Sequence, residues 1–319
     1  MLKARVEMDG GEALLPLVSP IRVLGNIKRP LTGARSLKDA KSGDLSYCNL
    51  HEELAKEAIA GSRASVIFSF DDVTDLETLS SSKCIVTVKN PRLAFIRCLN
   101  RYFTADVEWG IHSTAIIEKD VVLPKEVKID SHVYIGRAVE VGEKTVIEHR
   151  SFVGPKTRIG QNVYLQAGSI IGCEGQGFER NEEGAFEKFP QNGWVVLEDN
   201  VEIGANSTVV RGTFRETRIG EGSKIGHLTD IGHNVRIGRH VFISAGVVVA
   251  GGAIVDDYSW LAPGVTIRDG VRIGKNVLVS LGTVVTKDVQ DGQVLMGIPG
   301  RKQEQYLRML RWLEKRSEA

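Results

Sequence analysis

The stretch "KIGHLTDIGHNVRIGRHVFIS", residues 224–244, repeats itself every six residues, with isoleucine at positions 225, 231, 237 and 243. Neither the 3.6-residue period of an amphipathic helix nor the alternation of a strand produces a period of six. A solenoid explains it if each hexad forms one short strand and one corner, so that three hexads complete a coil and each aliphatic side chain points inward. The stretch therefore predicts a parallel β-helix.

The same period covers most of the chain. Aliphatic residues recur every six positions from Ile111 to Ile171, again at Leu197, Ile203 and Val209, and from Ile219 to Val285. We predict one β-helix domain over residues 109–298, and we interpret the glycines that often follow the aliphatics as corners with unusual backbone angles. The polar segment 172–194 breaks the period and is predicted to leave the coil as an inserted loop, where function is often found.

The two ends of the chain lack the period. Residues 1–108 predict a small α/β domain, because "RASVIFSF" and "KCIVTVKN" are typical of strands and "LHEELAKEAIAG" and "NPRLAFIRCLNRYF" of helices. Residues 299–319 predict a basic helical tail. This tail either caps the solenoid or forms a docking surface for an acidic protein.

The composition restricts the class of protein. Forty-one Lys and Arg residues against forty Asp and Glu residues give a net charge of +1, so nothing favours nucleic acid as a partner. Four scattered cysteines do not make a disulfide framework. The first twenty residues lack the apolar core of a signal peptide, and no segment approaches the length of a membrane helix. We expect a soluble, cytoplasmic protein without a membrane span.

The hexads resemble those of the left-handed parallel β-helix acyltransferases, and this resemblance supplies the handedness. Three stretches, "SLKDAKSGDLSYCN", "KNPRLAFIRCLN" and the insertion followed by "IGHNVRIG", resemble UDP-3-O-acylglucosamine N-acyltransferase of the lipid A (lipopolysaccharide) pathway. The resemblance implies an N-terminal domain that helps to hold uridine, a homotrimer, and active sites between neighbouring coils. The reaction would transfer an acyl group from a thioester to the amine of a nucleotide-linked aminosugar.

The resemblance also implies two catalytic residues. His233 of "IGHN" matches the general base, and an imidazole is a suitable acceptor for the proton that an attacking amine loses. Gly251 lies eighteen residues further on, at the same corner one coil later. Its backbone N–H matches the group that binds the thioester oxygen as it becomes an oxyanion.

Four further positions are predicted to bind substrate by the same resemblance. Tyr47 matches an aromatic residue that stacks on uracil, and Asn49 matches a nearby polar contact. Gln191 of the insertion would contact the sugar or the acyl chain, and Asn234 follows the predicted base directly.

The chain departs from this pattern in several places. Gly226 and His227 replace an Asp-Asn pair, Gly270 replaces a further histidine, "LHEEL" lacks a second aromatic residue and "EGQG" replaces "DGFG". The stretch "LVSLGTVVTKDVQDGQVLMGIPGRK" is similar to coenzyme A-dependent nucleotide-sugar N-acetyltransferases. The donor therefore stays open between acyl carrier protein and coenzyme A. The alternative acceptor is a dTDP- or UDP-linked 4-amino-deoxysugar of a surface polysaccharide, acylated with a short chain.

Two other classes of protein compete with an acyltransferase. Trimeric β-helices also build zinc carbonic anhydrases with three histidines, but His227 and His233 are six apart and fall on successive corners. We therefore expect no metal and no covalently bound cofactor, with the acyl thioester as co-substrate. A non-catalytic scaffold that binds a nucleotide sugar is the second alternative. For His227 and His240 a solvated corner is the favoured interpretation.

Overall fold

A computed structural model describes residues 3–8, 11–25, 30–297 and 303–317. The chain divides into two compact units, residues 1–107 and residues 108–319.

The first unit is an α/β domain. Its elements are β1 (Lys3–Met8), a 3-10 helix (Gly11–Leu14), α1 (Leu15–Val18), β2 (Arg22–Leu24), β3 (Leu31–Ala34), β4 (Asp44–Tyr47), α2 (Glu52–Gly61), β5 (Val66–Ser69), α3 (Leu76–Leu79), β6 (Cys84–Thr87) and α4 (Pro91–Tyr102). The strands form one six-stranded sheet in the order β1-β3-β4-β5-β6-β2.

Alternation along the central strands places side chains on both faces of this sheet. Val66 and Phe68 pack into one apolar cluster, and Ile67 packs into the other. Helix α4 begins as the sequence predicts, because the Oδ1 atom of Asn90 accepts a hydrogen bond of 3.0 Å from the N–H of Leu93. The strands and helices predicted for this region are confirmed.

The second unit consists almost entirely of very short strands. They are β7 (Gly110–Ile111), β8 (Ile116–Ile117), β9 (Val127–Ile129), β10 (Tyr134–Ile135), β11 (Glu140–Val141), β12 (Thr145–Ile147), β13 (Phe152–Val153), β14 (Arg158–Ile159), β15 (Tyr164–Leu165), β16 (Ile170–Cys173), β17 (Phe178–Arg180), β18 (Phe186–Lys188), β19 (Trp194–Leu197), β20 (Glu202–Ile203), β21 (Thr208–Val210), β22 (Glu216–Ile219), β23 (Lys224–Ile225), β24 (Asp230–Ile231), β25 (Arg236–Ile237), β26 (Phe242–Ile243), β27 (Val248–Val249), β28 (Ile254–Val255), β29 (Trp260–Leu261), β30 (Thr266–Ile267), β31 (Arg272–Ile273), β32 (Leu278–Val279), β33 (Val284–Val285) and β34 (Val294–Leu295).

These strands build three parallel sheets that form the faces of a β-helix. The nine-stranded face runs from β8 to β33, the seven-stranded face from β11 to β31, and the ten-stranded face from β7 to β34. Each strand pairs with the strand one coil further on, so that Ile225 pairs with Ile243 and Ile243 with Leu261. This architecture is the left-handed parallel β-helix that the sequence predicts. Strands β17 and β18 form a separate antiparallel hairpin in the insertion.

The predicted aliphatic stack forms the core of the second unit. From Ile129 to Val285 its members are buried, whereas Ile111 in the first strand is 49% exposed. A second inward position, two residues before each aliphatic, carries a small residue such as Val235, Ser223 or Ser259. The hydroxyl of Ser223 donates a hydrogen bond of 2.7 Å to the carbonyl of Gly238, which keeps a buried polar group paired.

The interpretation of the glycines that follow the aliphatics is wrong. Gly142 does not have a positive φ; the left-handed conformation falls two residues later, at positions such as Lys144. Glycine is needed because the coils approach closely, and a methyl group on Gly142 would lie 2.5 Å from the carbonyl carbon of Gly160. The glycines that follow the aliphatics thus mark positions where adjacent coils are in close contact.

The predicted tail forms helix α5 (Gln303–Ser317). The side chains of Leu307 and Leu313 are exposed, and the guanidinium of Arg316 lies 4.3 Å from the ring centre of Trp312. Residues 301 and 302, which contribute to the predicted basic character, lie outside the described residues. No described helix is long and apolar enough to cross a bilayer.

Candidate active site

The corner between β24 and β25 brings the two predicted catalytic residues together. His233 is half-buried, and its imidazole lies over Gly251 of the following coil, where a methyl group on the glycine would be 2.5 Å from Nε2. Gly232 is equally restricted, because a methyl group there would lie 2.8 Å from the backbone nitrogen of Gly251. Glycine at both positions allows the ring to pack directly on the neighbouring corner.

The N–H group of Gly251 has no hydrogen-bond acceptor within the described part of the chain. At the same position of some other corners, this group is capped by a side chain of the next coil. The N–H of Arg239 donates to Asp257 at 2.8 Å, and that of Lys275 donates to Asp291 at 2.8 Å. The uncapped N–H beside His233 can therefore bind the oxygen of a ligand.

Asn234 connects His233 to the segment that follows the insertion. Its Oδ1 atom accepts a hydrogen bond of 2.9 Å from the N–H of Thr213, and its Nδ2 atom donates to Oγ1 of Thr213 at 3.1 Å. The same Nδ2 atom lies 3.0 Å from Nδ1 of His233. Asn234 has a φ of 60°, a conformation that asparagine adopts more readily than most residues. Its contacts in the structure are thus to the protein, and they position the imidazole.

Gln191 holds the base of the insertion. Its side chain is only 2% exposed, and its Oε1 atom accepts a hydrogen bond of 2.7 Å from the N–H of Gly175. The neighbouring N–H of Asn192 donates to the carbonyl of Thr213 at 2.8 Å. The insertion and the segment around Thr213 are therefore one hydrogen-bonded assembly beside His233.

The other two histidines of residues 224–244, His227 and His240, contact neighbouring coils. The Nδ1 atom of His227 accepts a hydrogen bond of 3.0 Å from the N–H of Ala205, so His227 caps a corner. The ring of His240 is exposed and stacks on Tyr258 at 5.4 Å between ring centres. Among the described residues, no three His, Cys, Asp or Glu side chains are grouped so that they could hold a metal ion.

Tyr47 and Asn49 belong to the first unit. Tyr47 ends β4, is half-buried and packs its ring against Phe95 with 5.0 Å between ring centres. Asn49 is exposed two residues later. Close by in the sequence, the imidazole of His51 stacks on Phe70 at 4.2 Å and contacts the carboxylate of Asp72 at 2.5 Å. This second aromatic pair was not found in the sequence.

Sequence reasoning also missed Thr213 and Asp230. Thr213 is separated from Asn234 by a break in the period, so no spacing could indicate their contact. Asp230 is exposed on β24, three residues before His233, and its carboxyl group has no hydrogen-bond or ion-pair partner among the described residues. Neighbouring protein atoms remove part of the water around its carboxyl group, and this partial desolvation raises its pKa above the ordinary value. An unpaired carboxylate thus lies on the strand that leads to the candidate base.

Fold and corner geometry together define a hexapeptide-repeat β-helix protein. The family described as "Bacterial transferase hexapeptide (six repeats)" matches residues 216–251, which include both His233 and Gly251. The UDP-N-acetylglucosamine acyltransferase of Francisella novicida shares this fold, with a TM-score of 0.55 and 24% identity over 63% of this chain and 73% of that one. LpxA of Acinetobacter baumannii gives a TM-score of 0.54 at 25% identity, covering 62% and 76%.

The predicted resemblance to UDP-3-O-acylglucosamine N-acyltransferases is confirmed. The enzyme of that name from Polynucleobacter asymbioticus is 30% identical over 231 residues, which cover 63% of this chain and 64% of the relative. The enzyme from Pseudomonas putida is 30% identical over 213 residues, covering 61% and 59%. The matched region spans less than two thirds of each of these relatives.

Proposed function

We propose that the chain is an N-acyltransferase that moves an acyl group from a thioester to the amine of a nucleotide-linked aminosugar. The observation that carries this proposal is the imidazole of His233 packed on Gly251, whose N–H is unoccupied. A base and an oxyanion donor on adjacent coils are what amine attack on a thioester requires. The confirmed resemblance to UDP-3-O-acylglucosamine N-acyltransferases supports the same class of acceptor.

In the proposed reaction the amine nitrogen attacks the thioester carbonyl and loses its proton to Nε2 of His233. The carbonyl oxygen becomes an oxyanion that the N–H of Gly251 stabilises. The carbon–sulfur bond then breaks, the thiolate of acyl carrier protein or coenzyme A takes the proton from the imidazolium, and an amide remains. Tyr47 and Asn49 are proposed to hold the nucleotide, while Gln191 and Asn234 support the site on the β-helix.

Substitution of His233 tests the assignment of the base. We expect His233→Ala to lower kcat by about 100-fold or more, because general base catalysis typically contributes that much, while substrate binding is retained. His240→Asn is the matched control, since His240 is also a corner histidine but stacks on Tyr258. Wild-type turnover in His233→Ala would contradict the assignment of the base, whereas substrate binding without any turnover in the wild type would favour a non-catalytic scaffold.

A melting-temperature panel identifies the acceptor, because a ligand that binds the folded state raises the midpoint. UDP-linked glucosamine compounds are expected to raise it, and hydroxyacyl carrier proteins would then be the donors to assay. A shift with dTDP-linked 4-amino sugars alone would favour the alternative, a transferase that uses short acyl-coenzyme A donors. The proposal with a UDP-linked glucosamine acceptor also places the protein in the lipid A pathway and in the cytoplasm.

A further inference from the structure

The hydrogen bonds of Asn234 determine which way its amide faces. A backbone N–H can only donate, so the atom that lies 2.9 Å from the N–H of Thr213 must be the carbonyl oxygen Oδ1. The other end of the amide is therefore the NH₂ group. One of its hydrogens is directed to Oγ1 of Thr213, and the other to Nδ1 of His233.

This orientation decides which ring nitrogen of His233 carries the proton. An amide NH₂ group cannot accept a hydrogen bond. The Nδ1 atom of His233 must therefore be the unprotonated ring nitrogen, and it accepts the hydrogen bond from Asn234. In the neutral imidazole the proton then lies on Nε2, the atom that faces Gly251. A base that acts through Nε2 needs the opposite arrangement, with a lone pair on Nε2 and the proton on Nδ1.

We propose that Asn234 is a positioning residue that holds His233 in its resting tautomer, with the proton on Nε2, and that releases the ring for catalysis. This inference rests on the proposed function, in which Nε2 accepts the proton of the amine. Release requires the amide to turn so that Oδ1 accepts from Nδ1–H. That turn breaks the bond between Oδ1 and the N–H of Thr213. The state of the base is therefore coupled to the loop between β21 and β22, which the insertion contacts through the N–H of Asn192.

Asn234→Asp tests this directly, because a carboxylate accepts hydrogen bonds at both oxygens. One oxygen can keep the bond from the N–H of Thr213, and the other can accept both from the Thr213 hydroxyl and from Nδ1–H of His233. Aspartate tolerates the φ of 60° at this corner nearly as well as asparagine. The variant should therefore fold and should move the proton of the ring from Nε2 to Nδ1.

The readout is the nitrogen NMR spectrum of the full chain with labelled histidine, recorded without substrate and assigned with His233→Gln. His227 is an internal reference for a ring protonated at Nε2, because its Nδ1 accepts from the backbone N–H of Ala205. We expect wild-type His233 to match His227 and only His233 to change in Asn234→Asp. The matched control is Asn276→Asp, at an equivalent corner with a φ of 54°, where no change is expected.

Kinetics give the consequence for catalysis. In serine proteases, an amide in place of the carboxylate beside the catalytic histidine leaves the wrong tautomer and lowers kcat about 10⁴-fold. The reverse exchange should raise kcat here, by about tenfold or more, with KM nearly unchanged. Asn234→Gly, which removes the side chain without backbone strain, should give a mixture of tautomers and an intermediate kcat.

Two results would overturn the assignment of the proton: a wild-type His233 that already carries its proton on Nδ1, or an Asn234→Asp ring that keeps the pattern of His227. A fall in kcat of Asn234→Asp accompanied by the expected tautomer exchange would refute the gating role. The NMR result does not depend on turnover. If every variant shows the expected tautomer and none transfers an acyl group, the proposed function fails while the assignment of the proton stands.

Discussion

At the scale of single residues, the site depends on the absence of a side chain at Gly251. A methyl group there would lie 2.5 Å from Nε2 and 2.6 Å from Cε1 of His233, so alanine forces the imidazole to move. The corner itself tolerates alanine, since Ala205 and Ala245 occupy the same position at other corners. The glycine is therefore required by the histidine and not by the backbone.

We predict that Gly251→Ala destabilises the fold by about 1–3 kcal/mol, as overpacking usually does, and lowers kcat by about 100-fold. Urea unfolding and steady-state kinetics measure the two effects. In a His233→Ala background the loss of stability should disappear, because the clashing ring is gone. An equal loss of stability in both backgrounds would show that the glycine is needed for another reason.

At the scale of elements, the insertion and the segment around Thr213 act together. Gln191 is buried at the base of the insertion and its amide oxygen is already occupied by the N–H of Gly175. The sequence predicts contact with the sugar or the acyl chain, whereas the described hydrogen bond gives Gln191 a structural role. A single substitution separates the two roles.

Gln191→Leu should leave the partly buried N–H of Gly175 unpaired, which costs about 1–3 kcal/mol, and should loosen the insertion. Limited trypsin digestion measures this through faster cleavage after Arg180 and Lys188, both of which lie in the β17–β18 hairpin. A structural role predicts faster cleavage with or without substrate. Unchanged cleavage combined with a higher KM would instead support direct contact with substrate.

The sequence predicts repeats far better than it predicts contacts across breaks in the repeat. The inward aliphatics, the strands and the pairing of position 233 with position 251 follow from the periods of six and eighteen. The contact of Asn234 with Thr213 does not, because Thr213 lies in the break of the period between Val209 and Ile219. Glycine occurs both where the backbone needs a positive φ and where two coils pack closely. The sequence does not distinguish these two causes, so the corner glycines were misinterpreted.

At the scale of the whole molecule, an apolar column remains partly exposed on the ten-stranded face. Phe242, Trp260, Leu278 and Val294 follow one another on successive coils, and the rings of Phe242 and Trp260 make an edge contact at 5.7 Å between centres. About half of each of these two side chains is exposed. A contiguous apolar surface of this kind usually marks an interface, which agrees with the homotrimer implied by the resemblance.

We therefore predict that the protein is a homotrimer of about 105 kDa, three times the 35.0 kDa of the chain, and that this column is buried between copies. Analytical ultracentrifugation measures the mass. Trp260→Glu should shift the protein toward a monomer of unchanged fold, because a carboxylate would lose its water in the interface. Arg236→Glu, an exposed position on the seven-stranded face, is the control and should remain trimeric.

A trimeric Trp260→Glu would place the interface on another face. A monomeric wild type would remove the basis for an active site shared between copies, and the site would then have to work with the residues around His233 in one chain.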